Sequence, residues 1–152
     1  MAVVGFLIKV AAFLLVFTTN IWADNHSLSV SDKLFKEATD LVKSRKYEKA
    51  VKIFEELANS KEHDAQYNLA ILLKAGKGKT KNYTDALYWS FLSKLGEIPE
   101  ANDLVDDLID LLPEKTVEEI RQKVKTQLEN NVESGGKDSI MHLGRFFLDV
   151  VN

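Results

Sequence analysis

Apolar residues recur along this chain at intervals of three and four, the spacing of one helix face rather than of a strand. Leu34, Ala38, Leu41 and Val42 predict a first amphipathic helix, and Tyr47, Ala50, Val51, Phe54, Leu57 and Ala58 a second. Residues 43–46, "KSRK", are all that joins them, and so short a connection makes the pair antiparallel neighbours. Ala65, Leu69, Leu72 and Leu73 mark a third helix that stops at Gly76. Asn82, with Asp85 three residues on, opens a fourth that runs through Ala86, Leu87, Trp89, Phe91 and Leu95 to Gly96. Pro99 suits the first turn of a fifth, whose apolar face is Ala101, Leu104, Val105, Leu108, Ile109 and Leu112, and Pro113 ends it.

Thr116 with Glu119 reads as a capping box opening a sixth helix through Val117, Ile120, Val124 and Leu128. A flexible break is expected over 130–138, around Gly135 and Gly136, before a last helix carrying Ile140, Leu143, Phe147, Val150 and Val151. Sustained alternation of period two is missing from the sequence. The expected fold is all-α, with about seven helices.

The beginning of the chain follows a different pattern. Val3 to Phe17 is apolar apart from Lys9, and the run turns polar and small near Ala23, which reads as a secretory signal peptide over 1–23. With Lys9 snorkelling, Ala2 to Trp22 would serve instead as an uncleaved membrane anchor. A disordered lead over 24–29 and a helical domain over 30–152 follow, so the expected location is exported, periplasmic or secreted. Asn25-His26-Ser27 and Asn82-Tyr83-Thr84 spell glycosylation sequons, which matter only in a eukaryotic host.

Composition narrows the chemistry. The 152 residues carry a net charge of −3, which points away from nucleic acid as a partner. There is no cysteine, which removes disulfides, iron–sulfur clusters and thiolate zinc sites together. Gly78-Lys79-Thr80 has the ending of a phosphate-binding loop, but Leu73 stands where the first glycine belongs and a helix precedes it, so no nucleotide is expected. Gly76 and Gly78 are better explained as a helix stop and a turn. His26, His63 and His142 are scattered and predict no metal site. The acid pairs Asp106-Asp107 and Glu118-Glu119 point apart on their helices, and no serine sits in a nucleophile elbow. No cofactor and no catalytic residue are expected. Among the aromatic residues Tyr67, Tyr83, Tyr88, Trp89 and Phe91, most fit core positions. Tyr88 and the polar Asn68 are the candidate protein contacts.

Residues 64–101, "DAQYNLAILLKAGKGKTKNYTDALYWSFLSKLGEIPEA", resemble a Sel1-like repeat, a relative of the tetratricopeptide repeat. Ala65, Tyr67, Leu69, Gly76, Gly78, Tyr83, Ala86, Trp89, Gly96 and Ala101 match its pattern in register. Ala70, Leu73, Lys79, Asn82 and Ser93 depart from it. Lys79 replaces a valine and is expected to loosen the turn, while Ser93 replaces an alanine. Residues 31–60 resemble the tetratricopeptide version, with Ala38, Tyr47, Ala50 and Phe54 at familiar offsets, and "DSIMHLGRFFLDVV" resembles a capping half-repeat with Leu143-Gly144. The resemblance implies a short right-handed α-solenoid of antiparallel hairpins. It also implies a non-enzymatic adaptor of the cell envelope that binds another protein or an extended peptide. The alternatives are an envelope hydrolase acting on cell-wall or β-lactam substrates and, with the leader retained, a membrane-tethered regulator.

Overall fold

The computed structural model describes residues 29–135 and 137–150. The expected signal peptide over 1–23, its anchor alternative, nearly all of the expected lead, Gly136 and Val151 lie outside the described residues. Seven helices make up the rest: α1 (Val30–Lys43), α2 (Tyr47–Asn59), α3 (His63–Ala75), α4 (Tyr83–Leu95), α5 (Ala101–Ile109), α6 (Glu114–Glu133) and α7 (Lys137–Asp149). No strand occurs among the described residues, and the fold is all-α.

Local chemistry explains most of the boundaries. The Ser29 hydroxyl accepts from the Asp32 amide and the Asp32 carboxylate accepts from the Ser29 amide, both at 3.0 Å. This reciprocal cap starts α1 and contributes about 1 kcal/mol. Asn82 caps α4 by accepting from the Asp85 amide at 3.0 Å. The sixth helix starts earlier than its sequence suggests. It opens at Glu114 behind an extended Pro113 whose carbonyl accepts from Thr116 and Val117, so Thr116 is already inside the helix and forms no capping box. It also continues to Glu133, four residues into the expected break, and α7 resumes at Lys137.

At the far ends, α1, α2 and α4 close with the same pair of backbone bonds, in which the second and third residues past the helix bond back to its last turn. The left-handed residue in these closures is Arg45, Lys61 or Glu97. Gly96, expected as the stop of α4, has an ordinary φ of −81° and leaves the left-handed position to Glu97.

The first five helices pack serially, each on its successor, and α6 then turns back onto α4, with α7 laid against α6 and touching α4. The Phe35 and Phe54 rings meet edge to face at 5.7 Å near the middles of α1 and α2. Leu69, Ala70, Leu72 and Leu73 of α3 meet Ala86, Leu87, Phe91 and Leu95 of α4 in one continuous core that reaches Val117, Ile120, Val124 and Leu128 of α6. Ala38, Ala50, Ala65, Ala70, Ala86 and Ala101 have no exposed surface, and their small side chains let the helices approach closely. Ser93 is as fully buried, and its hydroxyl has no hydrogen-bond partner among the described residues, a desolvation cost that alanine would not carry.

The turn between α3 and α4 is tight. Gly76 and Gly78 take φ of +66° and +83°, and a Cβ on Gly78 would lie 2.5 Å from the Tyr47 carbonyl oxygen. The second hairpin therefore rests backbone to backbone on the start of α2. Lys79, where the repeat pattern has valine, pairs with Glu55 of α2.

Candidate functional site

A cleft of about 250 Å³ opens where α3, α4, α6 and α7 converge. Its apolar wall belongs to α4, which presents Tyr88, Trp89, Leu92 and Leu95. Residues 88, 92 and 95 follow helical spacing, so a single face of α4 supplies the wall. The Tyr88 and Trp89 rings meet edge to face at 5.0 Å, and Lys123 lies 4.2 Å over the Tyr88 ring. Burial pushes the Tyr88 phenol above its ordinary pKa, so the hydroxyl stays a donor.

The polar wall comes from the starts of α3 and α7. Lys61, in the left-handed conformation, turns the chain so that α3 begins at His63, whose ring sits directly on Gly96. Gln66 is one turn on and buried. Its amide nitrogen donates to the Ala58 carbonyl at 3.1 Å, so its amide oxygen is the atom that faces His63 Nδ1 at 2.9 Å. An amide oxygen only accepts; Nδ1 therefore carries a proton, and Nε2 is the ring nitrogen with no hydrogen-bond partner among the described residues.

Across the cleft His142 meets His63 edge to face, with ring centroids 5.1 Å apart. Burial first, then the neighbouring His63, Arg145 and Lys61, hold the His142 imidazole below its ordinary pKa, while Asp138 one turn earlier on α7 pulls the other way. Ser139 also lines the cleft. It is 5% exposed, and its hydroxyl has no hydrogen-bond partner among the described residues. Arg145 fastens α7 in place by donating to the Leu95 carbonyl at 3.2 Å and pairing with Glu97.

The arrangement offers hydrogen-bonding groups around an aromatic wall in a space sized for one side chain, below the range of pockets that hold larger ligands. Among the described residues no hydrogen bond joins Ser139 to either histidine, and no three histidine, aspartate or glutamate side chains are placed to hold a metal ion.

Of the two contact candidates, the structure brings only Tyr88 to the cleft. The Asn68 amide donates to the Asp64 carbonyl of its own helix at 2.8 Å, and Asn68 is not in the lining. The repeat-like positions divide by role. Ala65, Leu69, Ala86 and Ala101 are core, Gly76 and Gly78 shape the turn, and Gly96 seats His63. Trp89 packs on the core and lines the cleft at once. Tyr67 faces away, near Glu100 and Asp103, where burial and those two charges raise its pKa. Sequence reasoning missed His63 and His142 because the helix start and the late helix that carry them meet only in three dimensions.

No protein-family model, no curated protein and no solved structure matches this chain.

Proposed function

We propose that the chain is a non-enzymatic interaction module, an exported adaptor of the Sel1-like kind whose hairpins form a short right-handed solenoid. Its partner is another protein or an extended peptide, one of whose side chains enters the cleft. The observation that carries this reading is the pairing of a Tyr88–Trp89 wall with two polar groups that have no partner among the described residues, the Ser139 hydroxyl and His63 Nε2. Aromatic side chains with a polar handle dominate the energetics of protein recognition. Both atoms are open to the cleft, where a partner's hydrogen bond can take the place of one to water.

The test uses the full chain as bait in extracts of its native envelope, beside an Asn131→Trp variant that fills the cleft mouth. The reading expects a specific partner that the variant loses while its thermal melting is unchanged. No specific partner, or one indifferent to Asn131→Trp, would sink it. Hydrolysis of a cell-wall or β-lactam substrate by the purified protein, abolished by one carboxylate substitution, would replace it with an enzyme. The mass of the natural N-terminus decides export: a start at Asp24 excludes a retained tether.

A further inference from the structure

Although the chain carries a net charge of −3, the stretches 45–49 and 77–81 hold six cations, Arg45, Lys46, Lys49, Lys77, Lys79 and Lys81, against one acid, Glu48. These stretches are the turn into α2 and the turn between α3 and α4. The backbone contact of Gly78 with Tyr47 sets them side by side. Arg45, Lys46, Lys49 and Lys79 line an open groove of about 730 Å³ together with Glu48, Gly76 and Gly78, and Lys77 and Lys81 flank it in the chain. Lys79 is neutralised by Glu55. Arg45, Lys46 and Lys49 form no ion pair among the described residues, and Lys77 and Lys81 lie over the Tyr47 and Tyr83 rings at 5.2 and 5.5 Å, which leaves their charge uncancelled. The start of α2 opens into the same groove. Lys46 at its cap position makes no side-chain bond to the first turn, and the positive end of the helix dipole adds to the field.

We propose that this basic edge docks an acidic segment of a protein partner, an extended run of aspartate and glutamate side chains. It is a second surface, distinct from the cleft, and it rests on the interaction-module reading only in taking a protein as the partner. The groove favours that occupant over the other anions. A membrane surface is favoured less, because none of the large exposed apolar side chains among the described residues lies in either stretch to insert into lipid. Single-stranded nucleic acid needs open aromatic faces for its bases, and the Tyr47 ring is already covered by Lys77. A carboxylate chain needs only spaced cations, and these are present.

The experiment measures fluorescence anisotropy of a labelled ten-residue peptide of alternating glutamate and glycine, titrated with the full chain at low and at 0.5 M salt. The same chain is tested against a labelled single-stranded oligonucleotide and phosphatidylglycerol vesicles, and by sedimentation for self-association. The proposal expects peptide binding that high salt weakens and that Lys46→Glu with Lys77→Glu weakens about tenfold or more. It also expects Asn131→Trp to leave that binding unchanged, so the edge and the cleft fail or stand separately. Absence of peptide binding, indifference to the double reversal in a variant that melts normally, stronger binding to oligonucleotide or vesicles, or self-association through the same lysines would overturn it.

Discussion

At the turn end of the α3–α4 hairpin Gly78 lies against the Tyr47 backbone, whereas at the open end Gly96 lies under the His63 ring. The two contacts differ in what blocks a side chain. At Gly78 the obstacle is main chain, 2.5 Å from an added Cβ, and φ is +83°, so conformation and space both demand glycine. At Gly96 the backbone is ordinary, and the obstacle is the His63 imidazole, a side chain that a substitution can remove. Identical residues in one hairpin thus serve different physics: one end is fixed by backbone geometry, and the other is held by side-chain packing that also shapes the cleft.

Substitution separates the two ends. Gly78→Ala is expected to cost about 3 kcal/mol, because a strained φ and a backbone clash cannot both relax. Denaturant unfolding measures it, and a loss under 1 kcal/mol would mean that the turn is not locked to α2. Gly96→Ala is expected to cost about 2 kcal/mol as overpacking. Most of that should return when His63→Ala is combined with it, whereas no side-chain truncation at Tyr47 should rescue Gly78→Ala. Equal behaviour of the two glycines in these double-mutant cycles would erase the distinction.

The smallest effect expected is on pH dependence at the open end. With the folded-state pKa of His142 lowered, the unfolded chain binds the proton more readily. The His142 contribution is then fully present above the ordinary imidazole value of about 6.5 and is lost as pH falls through the folded value below it. Melting temperatures between pH 7.5 and 5 should fall more for the native chain than for His142→Gln. Parallel curves would show that this ring does not titrate with folding.

The helical plan was legible in the sequence wherever local rules act alone. The apolar spacing located the helices, Asn82 the cap of α4 and Gly76 the left-handed stop of α3, but in α7 it chose Ile140 and Phe147, which are exposed, over the buried Phe146. What escaped reading depends on distant neighbours. Thr116 carried a capping pattern, yet Pro113 starts that helix first because its extended backbone and carbonyl are already in place. Gly96 ends its helix where expected, but the left-handed position falls on Glu97 and the space at Gly96 is taken by His63. Tyr88 was legible as a surface aromatic, while its companions His142 and Ser139 reach the cleft only because α6 folds back onto α4 and carries α7 with it. The six cations were visible as scattered lysines and an arginine. Their assembly into one edge is a product of the Gly78 contact.

That contact has an evolutionary consequence. Main-chain atoms of Tyr47 and Glu48 meet Gly78, so exchanging either side chain leaves the contact itself in place. The lysines around it are exposed and carry little of the packing. Descendants of this sequence are therefore free to re-charge the edge, and so to change what it attracts, while inheriting the angle between the two hairpins unaltered.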